Sequence, residues 1–474
     1  MIDDGGADVG AYNSQLKCFK AYDVRGRIPD ELNEEMAELI GLAYAELIRP
    51  SRIAVGHDVR QTSTAMTEAL CRGLTAAGVD VLNIGLVGTE EVYFTTFSLG
   101  LDGGIMVTAS HNPRDYNGMK FTREQARPIS SDTGLLEMDA MVRAALRAED
   151  AGQPAPWKPR SGPVGTIEAG DTRAAYIEHL LTYIDVAKLK PLKVVVNAGN
   201  GGAGPVIDLL EEALPLNFVK INHEPDGSFP HGVPNPLLPE NRAATSQVVI
   251  AEEADLGIAW DGDFDRCFFF DERGEFIDGY YLVGLLAQRA LLRHPGANII
   301  HDPRLVWNTL EMVQEAGGAA VVSKSGHAFI KEKMREVDAA YGGEMSAHHY
   351  FKEFSYCDSG MIPWLQIVEA ISTSGRPLSA LVGERITRYP VSGEINLTIA
   401  DPAQALASIK SKYTPGAVSF DEIDGLSVEY AEWRFNMRMS NTEPVVRVNV
   451  ETRGDDALLA TKTAELLDAV KAAE

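Results

Sequence analysis

Three stretches of this chain follow the same plan, in which an apolar, β-rich segment ends in a small polar loop, a helix-like segment follows, and a second β-rich segment returns. The first segments lie at residues 53–58, 194–200 and 299–304, and the returning ones at residues 79–84, 217–221 and 320–323. Strands that alternate with helix-length segments predict parallel βαβ units. The irregular spacing indicates duplicated α/β domains rather than a short-period solenoid.

A third β-rich segment completes each unit, and unusual polar residues follow it. These segments with their loops lie at residues 104–110, 256–261 and 340–346. Open α/β sheets bind ligands beyond the carboxyl ends of their strands. We therefore expect three such units to direct their loops into one shared cleft.

The length of 474 residues predicts three or four domains at about 150 residues each. Proline and glycine mark a linker at residues 152–163, and weaker boundaries fall near Arg273 and Arg388. In the last segment, apolar and polar residues alternate at residues 394–399 and 445–450, and an amphipathic stretch follows at 456–470. This pattern predicts a small α+β domain. The expected division is 1–157, 158–275, 276–388 and 389–474.

Charge and composition narrow the classes of partner. The formal net charge of -25 argues against nucleic acid, because binding to the phosphate backbone relies on clustered Lys and Arg. No apolar run reaches membrane-spanning length and the N-terminus does not resemble a signal peptide, so we expect a cytoplasmic protein with no membrane partner. The widely spaced cysteines, expected to be reduced, are Cys18, Cys71, Cys267 and Cys357.

Ser110 lies where a short buried strand at residues 104–107 ends in the sequence TASHNP. Pro113 disfavours helix at Asn112, so we expect an exposed turn that presents the Ser110 hydroxyl. This placement suggests a nucleophile at the mouth of an α/β site. The alternative is that Ser110 only caps the turn.

Asp261, Asp263 and Asp265 alternate in a turn-prone loop and offer hard oxygen ligands to Mg²⁺ or Ca²⁺. An EF-hand is the rival interpretation, but Arg266 stands where its turn needs glycine and the flanking residues resemble strands. A solvated acidic turn remains the other alternative.

Two further groups of residues carry chemistry. Lys120 could transfer a proton if its pKa is lowered, and is otherwise a surface residue. The loop at residues 343–349 is suited to sugar hydroxyls, although His349 taken alone is better explained as a core residue. His327, at the start of a helical run, is a second imidazole candidate.

Arg438 opens a turn at residues 438–444 that suits a phosphate, because a guanidinium binds phosphate oxygens in pairs. Arg25 and Arg304 could add positive charge. Each arginine could equally form a surface ion pair.

The loops at residues 108–113, 261–266, 343–348 and 438–442 occur in the order typical of α-D-phosphohexomutases. From residue 19 to the C-terminus the chain resembles that family, in particular its bacterial phosphomannomutase/phosphoglucomutase branch. The resemblance implies three similar α/β domains with mixed sheets and a smaller C-terminal α+β domain around a central cleft.

The resemblance also implies a reaction and its residues. Ser110 would carry a phosphoryl group and, with Asp261, Asp263 and Asp265, hold Mg²⁺. Hexose 1-phosphate and 6-phosphate, of mannose or glucose, would interconvert through a hexose 1,6-bisphosphate, which also acts as activator. A monomer or weak homo-oligomer is expected. The remaining catalytic residues would be Lys120, His111, Arg266 and His348, and the substrate-binding residues Tyr22, Arg25, Arg304, His327, Glu344, Ser346, Arg438, Ser440, Asn441 and Thr442.

Two residues depart from the family pattern. Met439 stands where a small or polar residue is usual, and Ala347 replaces a common glycine in the sugar-binding loop.

Three rival functions are a phosphoglucosamine mutase, a phosphatase and a silent sugar-phosphate binder. Met345 argues against the first, because the amino-sugar enzymes usually carry Gln there.

Overall fold

The computed structural model describes residues 14–153, 163–439 and 445–473. These residues form four β-sheets, each in its own stretch of sequence; three are mixed and the fourth is antiparallel. The expected three α/β domains and smaller C-terminal α+β domain are confirmed. Most of the predicted linker at 152–163 lies outside the described residues.

The first domain has a sheet between helices. Asn33 starts its first helix by accepting a hydrogen bond from the Met36 amide at 2.9 Å. Its elements are β1 (Val24–Arg27), α1 (Glu34–Ile48), β2 (Arg52–His57), α2 (Ser63–Ala76), β3 (Asp80–Leu86), α3 (Thr89–Ser98), β4 (Gly103–Val107), β5 (Tyr116–Arg123), α4 (Leu135–Asp150) and β6 (Ile167–Ala169). The strand order is β1-β5-β4-β2-β3-β6, in which β5 runs antiparallel to β4 and β1.

The second domain repeats this arrangement with a shorter sheet. Its elements are α5 (Arg173–Leu181), β7 (Lys193–Asn197), α6 (Ala203–Ala213), β8 (Asn217–Ile221), α7 (Ala243–Ala251), β9 (Leu256–Trp260), β10 (Cys267–Phe270) and β11 (Phe276–Ile277). The order is β11-β10-β9-β7-β8, with β7 parallel to both neighbours.

The third domain has the order β13-β12-β14-β15-β16. Its elements are α8 (Gly279–Arg293), β12 (Asn298–His301), α9 (Trp307–Glu315), β13 (Ala319–Val322), α10 (His327–Glu336), β14 (Tyr341–Gly343), β15 (His349–Phe351), β16 (Cys357–Asp358), α11 (Ile362–Ser374) and α12 (Leu378–Arg388).

The C-terminal domain has the antiparallel order β17-β21-β20-β19-β18. Its elements are β17 (Ile395–Thr398), α13 (Pro402–Tyr413), β18 (Ser419–Asp421), β19 (Leu426–Glu429), β20 (Trp433–Met439), β21 (Val445–Thr452) and α14 (Asp456–Lys471). A separate hydrophobic core supports this domain, whereas one continuous core joins the second and third domains.

In each α/β domain the first parallel strand (β2, β7 or β12) lies between the other two, so their loops meet at one sheet edge. The predicted strands are present, but each unit also has an antiparallel strand after the third one: β5, β10 or β15. The four cysteines are buried and unpaired, as expected. Within the described part of the chain, no helix combines the length and apolar character needed to cross a membrane.

Candidate active site

Ser110 follows β4 with a φ of 47°, the left-handed region that a serine adopts only when its surroundings hold it there. Its amide donates to Thr108 Oγ1 at 2.8 Å. The residue is 3% exposed, so the expectation of an exposed hydroxyl is wrong for this structure. The cause is another domain: the loop after β9 packs so closely that a Cβ on Gly262 would lie 2.7 Å from the Ser110 carbonyl oxygen.

A buried arginine that the sequence analysis did not identify holds this loop. Arg60 donates to the carbonyl oxygens of Ser110 (2.9 Å), Asn112 (2.6 Å), Pro113 (2.7 Å) and Tyr116 (2.9 Å). Asp58 lies beside Arg60 and accepts a hydrogen bond from Thr108 Oγ1 at 2.8 Å. These contacts fix the backbone that carries Ser110.

The Ser110 hydroxyl donates to Asp261 Oδ2 at 2.7 Å, which joins the first and second domains. Arg266 binds the same carboxylate oxygen through Nε (3.1 Å) and Nη2 (2.7 Å). His111 Nδ1 lies 3.1 Å from Ser110 Oγ. Burial and the neighbouring Arg266 hold the pKa of His111 well below its usual value, which favours the neutral imidazole, and the same Nδ1 also accepts a hydrogen bond from Arg266 Nη2.

The three predicted carboxylates converge. Asp261, Asp263 and Asp265 place one oxygen each within 4.8 Å of one another, and all three residues are buried. Among the residues that the structure describes, Asp263 Oδ1 and Asp265 Oδ1 have no hydrogen-bond partner. Strands β9 and β10 flank the loop, which agrees with the rejection of an EF-hand. Because buried carboxylate oxygens need a donor or a cation, this donor set fits a divalent metal ion.

Lys120 lies inside this acidic group and not on the surface. Its Nζ is 2.7 Å from Asp263 Oδ2 and also contacts Asp265. Burial acts to lower the pKa of Lys120, but the two carboxylates outweigh it and the pKa is raised. Conversely, Lys120 holds the pKa of Asp263 below its ordinary value despite burial. Lys120 is therefore an ammonium, and the lowered pKa that would favour a base is absent from this arrangement.

The third domain contributes a second buried group. Glu344 accepts hydrogen bonds from the Gly326 amide (2.9 Å) and from the hydroxyl of Tyr350 (2.6 Å), a residue that the sequence analysis did not identify. Arg304 pairs with Asp302 at 3.0 Å and reaches Ser346 Oγ at 3.3 Å. A carboxylate, a guanidinium and a hydroxyl thus face the same space, as sugar hydroxyls would require.

The two candidate imidazoles lie between these groups. Burial and the nearby Lys331 lower the pKa of His327 to about 3, and its ring packs edge-on against Tyr22 at 5.7 Å. His348 places Nε2 4.0 Å from Asp265 and Nδ1 3.5 Å from Glu344. His349 is fully buried and bonds Tyr341 Oη at 2.7 Å, which supports its interpretation as a core residue.

The candidate phosphate-binding residues are only partly described. Arg438 donates to Glu394 at 3.0 Å, and Glu394 also lies 3.5 Å from Arg304. Arg25 donates to Asn112 at 2.6 Å beside the Ser110 loop. The other predicted residues of this turn, Ser440, Asn441 and Thr442, lie outside the described residues.

Four family models match the chain in order. They are the phosphoglucomutase/phosphomannomutase α/β/α domains I (residues 16–141), II (174–274) and III (278–389) and the C-terminal domain of the same family (394–469). Each of the four sheets falls mainly within one of these matches.

Curated relatives cover almost the whole chain. A protein of Xanthomonas campestris named phosphohexose mutases is 58% identical over 95% of this chain and 98% of its own length. A phosphomannomutase of Salmonella montevideo is 57% identical over 96% of this chain and 99% of its own. Among solved structures, a phosphoglucomutase/phosphomannomutase family protein of Burkholderia thailandensis is 34% identical, with a TM-score of 0.83 over 96% of this chain and 97% of its own.

Proposed function

The chain belongs to the phosphoglucomutase/phosphomannomutase family, and on that premise we propose that it interconverts the 1-phosphate and 6-phosphate of a hexose, mannose or glucose. It is an isomerase of the phosphohexomutase type. The hydrogen bond of 2.7 Å between Ser110 Oγ and Asp261 carries the proposal, because it brings a buried serine from one domain to an acidic cluster from another.

Ser110 would act as the phosphoryl carrier. In the first half-reaction the bond between phosphorus and Ser110 Oγ breaks while a bond forms to the free hydroxyl of the bound hexose phosphate, which yields a hexose 1,6-bisphosphate. In the second, the sugar's other phosphate moves to Ser110 Oγ and the isomeric monophosphate leaves. Added hexose 1,6-bisphosphate would serve as activator by phosphorylating Ser110.

Each transfer moves a proton between oxygens. His111 Nδ1 lies 3.1 Å from Ser110 Oγ and would take the proton of the serine hydroxyl when that oxygen attacks, giving up its hydrogen bond from Arg266, and would return the proton when the oxygen leaves. Lys120, held as an ammonium by Asp263 and Asp265, would give a proton to the sugar oxygen that leaves when Ser110 attacks, and would take it back from the sugar hydroxyl in the opposite transfer. His348, 4.0 Å from Asp265, is a further candidate for this task. Arg266 would balance negative charge beside Ser110.

Asp261, Asp263 and Asp265, together with an oxygen on Ser110, would hold Mg²⁺. Their unpartnered buried oxygens support this assignment. When bound, Mg²⁺ would offset the charge that develops on the transferred phosphoryl group and neutralise the carboxylates that hold Lys120.

The substrate must bind in two orientations, so one site would hold the phosphate that does not react while other contacts accept either face of the sugar. Arg438 would supply the charge for the phosphate, with Ser440, Asn441 and Thr442. The sugar contacts would come from Glu344, Ser346, Arg304 and His327, and the first domain would add Tyr22 and Arg25 to the substrate-binding residues.

Several wider expectations remain proposals. We place the enzyme in the cytoplasm, where its four buried thiols would stay reduced. We also propose the four-domain division at residues 157/158, 275/276 and 388/389, and a monomer or weak homo-oligomer. Strands β6 and β11 lie just beyond the first two boundaries but complete the sheets of the domains before them.

Phosphorus NMR would test the proposal. Purified protein with Mg²⁺ and a trace of hexose 1,6-bisphosphate is given mannose 1-phosphate or glucose 1-phosphate in separate tubes. We expect the 6-phosphate resonance to grow, and we expect Ser110→Ala to abolish this while Ser98→Ala, an exposed serine at the end of α3, leaves it unchanged. Release of inorganic phosphate would indicate a phosphatase, and no change with either sugar would refute the proposed substrates.

A further inference from the structure

Lys331 is a lysine with no exposed surface, although lysine is almost never fully buried without a partner. It lies on α10, one helical turn after His327, so both side chains are on the same face of the helix. Neither the reaction proposed above nor the sequence motifs use it.

Asp358, on β16, is the partner of Lys331. Its Oδ1 lies 2.5 Å from Lys331 Nζ, and the residue is 1% exposed. Asp358 also forms, with Asp265 and His348, a group whose ligand atoms lie within 4.8 Å of one another, a spacing that would suit a cation. Lys331 already supplies the positive charge there, so we do not assign a second metal site to this group.

The same ammonium reaches the first domain. Lys331 Nζ lies 3.9 Å from the centroid of the Tyr93 ring, on α3, and Tyr93 is 1% exposed. A cation over an aromatic face is attracted most strongly where water is excluded. The ion pair of the third domain therefore rests on a ring of the domain that carries Ser110.

Stability alone does not explain such a pair. Removing two charges from water costs free energy that their attraction often fails to recover, and apolar residues of similar volume are commonly as stable or more so. The pair instead lies against the candidate site, since Asp358 has its carboxylate within 4.8 Å of ligand atoms of Asp265 and His348.

We propose that Lys331 and Asp358 are positioning residues. Their ion pair, which packs on the Tyr93 ring, would fix the start of α10 and so hold the His327 imidazole at a defined position relative to the first domain. The proposal rests on the proposed function, which assigns His327 to the sugar.

The decisive variant removes both charges at once. Replacing only one partner would leave the other charge buried without compensation, which by itself is strongly destabilising. For Lys331→Met/Asp358→Leu we expect a melting temperature close to that of the wild type. At saturating Mg²⁺ we expect kcat/KM to fall about tenfold to hundredfold, as small misplacements of binding groups do. We also expect the ¹³Cε1 resonance of His327, assigned with His327→Gln, to shift and broaden.

A substitution in the first domain tests whether the Lys331–Asp358 pair positions His327 against that domain or only stabilises the third domain. Tyr93→Leu removes the ring beneath Lys331 and should reproduce the changes in kcat/KM and in the His327 resonance. Tyr93→Phe keeps the ring, so this variant should have the wild-type kcat/KM and the wild-type His327 resonance.

Wild-type kcat/KM and an unchanged His327 resonance in the folded double variant would overturn the inference. So would a Tyr93→Leu variant that folds but leaves His327 unaffected. Absence of mutase turnover in the wild type would instead refute the proposed function, and the His327 resonance, which needs no turnover, would still report on the pair.

Discussion

Arg60 donates a hydrogen bond of 2.9 Å to the carbonyl oxygen of Ser110, so a residue from the loop after β2 holds the loop after β4. The third domain repeats the local arrangement. Asp58 accepts the Arg60 amide at 2.9 Å, and Asp302 accepts the Arg304 amide at the same distance. The two domains use the same turn for different purposes, since Arg60 binds backbone whereas Arg304 faces the candidate sugar site.

Replacing Arg60 should disable the site without touching a reacting atom. Arg60→Met frees four carbonyl oxygens and leaves Asp58 buried without its cation, which should cost about 3–5 kcal/mol of unfolding free energy. Turnover of the folded fraction should drop about a hundredfold, because the Ser110 loop loses its support. Urea unfolding and the phosphorus NMR assay would measure both. Arg72→Met removes an exposed pair with Glu38 and should change neither.

Lys120→Met should impair proton transfer but strengthen cation binding. The ammonium pairs with Asp263 and Asp265, so it competes with any cation for their oxygens. Turnover should fall about a hundredfold to ten-thousandfold, while Mg²⁺ binds more tightly in calorimetry. Weaker Mg²⁺ binding would contradict our placement of the cation. Lys188→Met, an exposed lysine paired with Asp185, is the matched control.

Gly88→Ala should disturb the acidic loop from the first domain. A Cβ on Gly88 would lie 2.1 Å from Cε1 of Phe264. Phe264 is fully buried, and its neighbours in sequence are Asp263 and Asp265. Since the ring must move, we expect a loss of about 1–3 kcal/mol in stability together with weaker Mg²⁺ binding. Gly383→Ala, on α12 with open space around it, should leave Mg²⁺ binding unchanged.

Ala347→Gly should stabilise the sugar-binding loop. Ala347 has a φ of 71° and is 2% exposed, so it holds the left-handed conformation that favours glycine. Relief of about 1–2 kcal/mol of strain should exceed the extra backbone entropy that glycine loses on folding, giving a slightly higher melting temperature. Ala148→Gly in α4 should instead destabilise the protein by about 1 kcal/mol. A lower melting temperature for Ala347→Gly would show that the alanine is not strained.

His349 should make the protein less stable in acid. Burial lowers its pKa to about 3, whereas the unfolded chain binds a proton near pH 6.5, so stability falls as the pH drops from 6.5 towards 3. Between pH 7 and 5 this single group should cost about 2 kcal/mol. His349→Asn should remove that part of the acid loss in urea unfolding, whereas His294→Asn, a partly exposed histidine, should retain it. Parallel pH dependences for the wild type and His349→Asn would refute the assignment.

The sequence by itself determined the domain plan and the identity of the reactive groups. Parallel strands and their loops follow from apolar segments of strand length, and the spacing of Asp261, Asp263 and Asp265 marks a ligand set wherever the loop lies. The repeated Asp-x-Arg of residues 58–60 and 302–304 was also available as a signal for Arg60 and was missed. The residues of β10 already resembled a strand in the sequence, whereas antiparallel β5 and β15 were not assigned.

Only the tertiary structure decided how these groups act on one another. The burial of Ser110 comes from a loop of the second domain, and the ammonium of Lys120 is set by carboxylates 143 and 145 residues away. No sequence motif includes Lys331, and only the folded chain brings Asp358 and Tyr93 to it. Protonation and burial depend on distances of a few ångströms between segments remote in sequence, and no local pattern contains those distances.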